Sequence, residues 1–418
     1  MIRELTIRAM LGKARTHARR VARSRARATL TALVVPPAAK GSIGDAAMAS
    51  AAAGYLRKVG FTRVCIALAP GWDAITGFDE YIDADGWFYD QRRSVSARLI
   101  RRLGEFSHSF MIAADCLDGS YNPGSISRRL DILEEHLAAG GEARLINASF
   151  RKQALPLAVE RLRALDPRIG IYARDPHSAE RLRQATDRPI SETTDLAFLV
   201  ESDREEGHDL SGLQFIARSN AAGRPVIGLN VNFLIEKMHP GFGLAHVELI
   251  EALLRADYSI LLLPHDSRGN PSDADLLRDL RERFPKAIDR FFFQDFLPPP
   301  LEQMVLRGLH CLITSRMHAA ILAMGAMTPS IGFTYSDKFE GIYRLAGLDH
   351  SRLLFDPAEL VNDPAGMGAL LVGRLPEMNS HRRVLERSLP SLRAKAAENF
   401  AGITPAVPAD ASRSLEVA

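Results

Sequence analysis

The feature that most constrains this chain is an alternation. Short apolar runs, closed off by proline, glycine or polar residues, alternate with segments of helical pattern. Strands buried on both faces read as continuous apolar stretches, and their alternation with helices predicts parallel sheets covered on both sides. In the first half the runs fall at 31–37 (TALVVPP), 64–68, 109–114, 143–148 and 169–173. In the second half they fall at 225–230 (PVIGLN), 259–264 (SILLLP), 291–293, 311–314 and 329–333. Between the two sets, 201–211 (ESDREEGHDLS) is polar and acidic and reads as a linker. A length of 418 residues exceeds what one core usually supports. The expectation is an α/β protein with two Rossmann-like domains facing a cleft, at 29–205 and 212–400. A basic segment, 1–28, precedes them, and a poorly ordered tail, 401–418, follows.

Charge is concentrated rather than large. The formal net charge is +3, yet before residue 28 nine arginines and lysines face a single acid, Glu4. This segment reads as a basic helix, either solvated or held at an anionic membrane surface. It lacks the interleaved aromatics of a single-stranded nucleic-acid platform. Cys65, Cys116 and Cys311 lie far apart in apolar runs, with neither a disulfide framework nor metal-ligand spacing. No apolar stretch has the length of a bilayer span, and no signal-peptide core follows the N-terminal arginines. The expected location is the cytoplasm, with peripheral contact at the inner membrane face as an option.

The densest chemistry is Thr314-Ser315-Arg316-Met317-His318, delivered by an apolar strand and followed by the helix-forming AAILAMGA. With Ser315 as N-cap, Arg316 and His318 fall in a first helical turn, where free N–H groups and the dipole favour anions. Arginine adds a two-pronged donor for carboxylate or phosphate, and histidine exchanges a proton near neutrality. The structural alternative is a surface ion pair and a packing histidine. Near the N-terminus, Gly41 and Gly44 open a loop in which Asp45 is either a base or a helix cap.

Four other strand ends add candidates, each with a structural alternative. Arg174 is a second cationic anchor or a partner of Asp175. Asp115 and Asp118 accept hydrogens from ligand hydroxyls or organise the Asp118-Gly119 turn. His265 contacts ligand at a strand's carboxyl end, or Asp266 orients it as a purely structural pair. Tyr335 and Lys338 bring a hydroxyl and an ammonium toward His318, or lie in a solvated loop.

Together these segments resemble the polysaccharide pyruvyl transferase family. The C-terminal signature reads Arg316-Met317-His318, then Thr328-Pro329-Ser330-Ile331, then Tyr335-Ser336-Asp337-Lys338. Gly41–Met48, Asp115–Tyr121, Tyr172–Ser178 and Leu261–Asp266 follow in the family's order, so the resemblance covers about 30 to 350. It departs after Ile146, where Asn-Ala-Ser-Phe-Arg stands in place of Gly-Gln-Ser-x-Gly-Pro. The resemblance implies a glycosyltransferase-B-like pair of domains and pyruvyl transfer from phosphoenolpyruvate to hydroxyls of a saccharide acceptor, free or lipid-linked. On that reading His318 and Asp45 are catalytic. Arg316, Arg174, Ser315, Lys338, Tyr335, His265, Gly44, Asp115 and Asp118 bind substrate. No metal and no cofactor beyond the phosphoenolpyruvate co-substrate is expected. A nucleotide-sugar glycosyltransferase of the same architecture, or a non-catalytic binding homologue, are the alternatives.

Overall fold

The computed structural model describes residues 2–25, 29–38, 40–89, 93–202, 208–334 and 337–403. Two parallel sheets organise them. The first holds β1 (Thr31–Val35), β2 (Arg63–Ile66), β3 (Glu80–Tyr81), β4 (His108–Ala114), β5 (Glu142–Ala148), β6 (Gly170–Ala173) and β7 (Ile190–Glu192), in the order β3-β2-β1-β4-β5-β6-β7. The second holds β8 (Val226–Leu229), β9 (Ser259–Leu262), β10 (Phe291–Phe293), β11 (Cys311–Thr314), β12 (Ser330–Phe333) and β13 (Leu354–Phe355), in the order β10-β9-β8-β11-β12-β13. The continuous apolar runs form the central strands, and β1, β4, β8 and β11 are buried at every residue. The edge strands β3, β7 and β13 have two or three residues each, and β3 and β7 have no apolar run to announce them.

In both sheets the strand order reverses beside the first strand, between β1 and β4 and again between β8 and β11. A crevice opens at the carboxyl ends of the strands at such a point, because the connections leave in opposite directions. The loops after Val35, Ala114, Leu229 and Thr314 therefore face the same gap.

The alanine-rich helix Ile43–Lys58 closes the core between the two units. Ala46, Ala47, Ala49, Ala51, Ala52 and Ala53 are buried on several sides, which only small side chains permit. The helix Met378–Ala397 leads the chain back to the first unit. There Phe400 stacks on Tyr55 with ring centroids 5.0 Å apart, and Asn399 is buried. The basic N-terminal segment is a helix, Ile2–Ser24, docked through buried Ala14 and Ala18. Among the described residues no helix is long and apolar enough to cross a membrane.

Candidate active site

A cavity of about 230 Å³ lies in the gap between the units. Three helices begin at its wall: Ile43–Lys58, Met317–Gly325 and Lys338–Leu345 contribute Asp45, His318 and Lys338 from their first turns. Three positive helix ends aimed at one volume favour negative charge there. Ser42 is the N-cap of the first of these helices, its hydroxyl accepting from the Asp45 amide at 3.5 Å. Asp45 is thus a first-turn residue facing the cavity and not the cap. At Met317–Gly325 the expected cap is corrected. Ser315 Oγ accepts from the Asn232 amide at 3.0 Å, its carbonyl accepts from Asn232 Nδ2 at 3.1 Å, and Arg316 occupies the N-cap position with extended backbone. The neighbouring strand end takes Ser315 before the helix can use it. Ser315 still lines the cavity.

Arg316 is held by carboxylates. Its Nε and Nη2 donate to Asp273 at 3.0 and 2.7 Å, Nη1 lies 3.3 Å from Asp266, and the guanidinium sits 4.8 Å from the Phe233 ring centroid. Asp266 does not orient His265. It accepts from Arg268 Nη2 at 2.7 Å and Nε at 3.0 Å, and Arg268 Nη1 reaches Asp45 at 3.3 Å. Burial raises the Asp266 pKa, but the hydrogen bonds from Arg268 and the charges of Arg316 and Arg268 outweigh it and hold the pKa below the usual carboxylate range. Asp45 shifts the other way. Burial dominates and raises its pKa, against the opposing charges of Arg268 and His318. Asp45 is half-buried, and a carboxyl so placed keeps its proton more tightly than in water.

His318 has a backing that the sequence pattern does not announce. Its Nε2 lies 3.3 Å from Arg174 Nη1 and 3.6 Å from Asp195 Oδ2. Arg174 is buried behind it, pairing with Asp195 at 2.9 Å. Asp175 does not pair with Arg174; it caps the helix Pro176–Thr186 by accepting from the Ser178 amide at 2.8 Å. Burial would raise the Asp195 pKa, but its hydrogen bond to His318 and the charges of Arg174 and His318 hold it far below normal. Gly44 makes the contact between units possible, since a Cβ there would fall 2.5 Å from His318 Cγ and Nδ1.

On the opposite wall Asp115 accepts from Lys338 Nζ and from the Tyr121 hydroxyl, both at 3.2 Å. Burial raises the Asp115 pKa, yet the charges of Lys338, Arg174 and His318 overcome it and keep the carboxylate ionised. Burial lowers the Lys338 pKa, with Asp115 opposing. Asp118 is fully buried and holds its turn, accepting from the Ser120 amide at 2.9 Å while its own carbonyl accepts from the Leu155 amide at 2.9 Å. His265 lines the cavity, with Nδ1 3.5 Å from buried Glu302 and its carbonyl accepting from the Ile43 amide at 3.0 Å. Tyr335 lies outside the described residues. Two further arginines line the cavity, Arg268 and Arg151, neither of which is among the residues the sequence patterns mark. Arg268 follows the Pro-His-Asp strand end by two positions, a signal that was available. Arg151 comes from the segment that departs from the family pattern, and its guanidinium lies 5.4 Å from the Tyr121 ring centroid.

Comparison with known proteins bears on the family and the fold. The family model described as polysaccharide pyruvyl transferase matches residues 43–337, most of the chain. No curated protein matches the sequence. Among solved structures, the chain is similar to a putative UDP-N-acetylglucosamine 2-epimerase from Listeria monocytogenes. The TM-score is 0.58 at 10% identity, covering 89% of this chain and 95% of that one. It is also similar to Anabaena Alr3699/HepE, solved with UDP and glucose. There the TM-score is 0.52 at 13% identity, covering 90% of this chain and 100% of that one. At these identities the likeness establishes the fold: two Rossmann-like domains with parallel sheets flanked by helices.

Proposed function

The chain belongs to the polysaccharide pyruvyl transferase family, and from that premise we propose that it moves pyruvate from phosphoenolpyruvate onto two hydroxyls of a sugar, closing a ketal. The observation that carries this reading is the meeting of His318, Asp45 and Lys338 at three helix N-termini around one cavity. Phosphoenolpyruvate brings a phosphate and a carboxylate, and such a wall suits both. Arg316 already spends its fork on Asp273 and its remaining edge on Asp266, which makes it a positioning residue. The anions fall instead to Lys338, the helix ends and Arg268, which also pairs with Asp266 and Asp45 but is far more open to the cavity than Arg316 (side chain 39% against 11% exposed). Asp115 and Tyr121 offer an acceptor and a hydroxyl to the sugar.

The reaction needs a proton delivered to the methylene carbon, which leaves the adjacent carbon electrophilic. Asp45, its pKa raised by burial, supplies that proton. A sugar hydroxyl bonds to the electrophilic carbon and releases its proton to His318. The carbon–oxygen bond to phosphate then breaks, a second hydroxyl takes its place, and the departing phosphate leaves with the second hydroxyl proton. Of the two hydroxyl protons, one replaces the proton given to the methyl group and the other leaves as hydrogen phosphate.

Thermal-shift titration with phosphoenolpyruvate, beside UDP-sugars, tests donor choice, because a ligand of the folded state raises the melting temperature by mass action. Turnover in heavy water should place one deuterium in the ketal methyl group. Stabilisation by a UDP-sugar alone, with no response to phosphoenolpyruvate, would replace this reading with glycosyl transfer.

A further inference from the structure

We propose that the outward side of the helix Ile2–Ser24, with the adjoining helix Arg93–Leu103, is a docking face for an anionic lipid surface. The N-terminal helix attaches by its small and apolar side. Ala14 and Ala18 are buried, and Gly104 lets the Ala18 carbonyl approach so closely that a Cβ at Gly104 would lie 2.1 Å from it. Two arginines of the helix, and Arg25 just past its end, are used in attachment. Arg15 pairs with Glu135, Nε to Oε2 at 2.8 Å, and Arg19 Nε donates to the Ala138 carbonyl at 3.0 Å. Arg25 donates to the carbonyls of Gly104, at 3.2 Å, and Phe106. Ala138 and Gly104 lie at helix C-terminal ends, where a cation answers both the free carbonyl and the dipole.

Lys13, Arg20 and Arg23 point away from that contact and are exposed, as are Arg98 and Arg101 on the adjoining helix. Among the described residues none of the five has an acidic partner, and Arg20 Nη2 lies 3.4 Å from His17 Nδ1. The acids in the neighbourhood are already engaged. Glu80 and Glu105 hold Arg102 and Arg63, while Asp131 and Glu134 hold Arg161. Five unanswered cations spread over two packed helices fit a broad anionic plane better than a point ligand. These exposed positions carry no aromatic side chain on which a nucleic-acid base would stack. The face contributes no residue to the cavity, so it stands independently of the pyruvyl-transfer reading.

Sedimentation of the full chain with vesicles tests it, comparing phosphatidylcholine alone with phosphatidylcholine carrying about 30 mol% phosphatidylglycerol. Binding should require the anionic lipid and weaken steeply with salt. The variant Lys13→Glu, Arg20→Glu, Arg23→Glu should bind at least ~10-fold more weakly with an unchanged melting temperature. The corresponding glutamine variant, which removes charge without adding acid, should give an intermediate loss. Phosphate release with a soluble acceptor should be the same in all three proteins, so failure here is separable from failure of the proposed reaction. Equal binding to neutral vesicles, or no vesicle binding together with charge-dependent capture of a single-stranded oligonucleotide, would overturn the assignment.

Discussion

Asp45 and Asp195 are the same residue type in one site, and their surroundings drive them in opposite directions. Asp195 and Asp115 are held ionised by nearby cations, so they add stability above the ordinary carboxylate range and lose it as pH falls through and below about 4. Asp45 binds its proton more tightly folded than unfolded. Its contribution is therefore full below about 4 and is lost as pH rises through its raised folded value. Asp45→Asn should consequently be at least as stable as the parent at neutral pH, with any gain shrinking toward pH ~4. The same variant should lose about 10²–10⁴-fold in kcat, the usual worth of a placed proton donor. Melting curves across pH, set beside kcat, separate the two effects. A clear loss of stability at neutral pH would mean that the pairing with Arg268 outweighs burial. The sequence placed Asp45, Arg316 and His318 at strand-to-helix junctions, because that depends on local pattern. It did not pair Arg174 with Asp195, twenty-one positions away, because that pairing follows from β6 and β7 lying side by side.

At the scale of elements, the site depends on how closely the helix Ile43–Lys58 meets the start of Met317–Gly325. Gly44 sits where any Cβ would overlap the His318 ring. Gly44→Ala improves helix propensity by up to ~1 kcal/mol and costs about 1–3 kcal/mol in overpacking, so global stability should fall by no more than ~3 kcal/mol. Displacing His318 by a fraction of an ångström to an ångström should still lower kcat about 10–100-fold. Steady-state kinetics beside a denaturation midpoint checks the prediction, and an unchanged kcat would show that His318 tolerates the shift. This contact was legible only in part. The glycine–aspartate loop and the R-x-H turn are each readable, but their meeting requires both sheets. Ser315 shows the same limit. Its place before the helix satisfies the local rule for a cap, and Asn232, from the end of a neighbouring strand, overrides that rule.

For the whole molecule, the chain's return to the first unit ties stability to the site. Asn399, fully buried after the last long helix, accepts from the Asn147 amide at 2.9 Å and donates to the Thr194 carbonyl at 3.2 Å. Asn147 has positive φ, and its side-chain carbonyl accepts from the Leu196 amide at 2.8 Å. Its Nδ2 lies 3.4 Å from Asp195, the carboxylate behind His318. The two-sheet alternation was readable from apolar runs, whereas this crossing was not, since the last helix reads from its sequence as part of the second unit. Asn399→Ala leaves a buried amide and a buried carbonyl without their partner, which should destabilise the protein by about 2–4 kcal/mol. The loss should also reach the chemistry, because Asn147 and Asp195 share the disturbed backbone. At a temperature where the variant stays folded, kcat should fall several-fold while binding of phosphoenolpyruvate, which the proposed function assigns to Lys338 and Arg268, should change little. Phe400→Ala is the control. It removes the stacking on Tyr55 without touching the Asn147 bonds, so it should lower the denaturation midpoint and leave kcat near the parent value. If both variants lost stability and neither lost kcat, the crossing segment would support the fold alone.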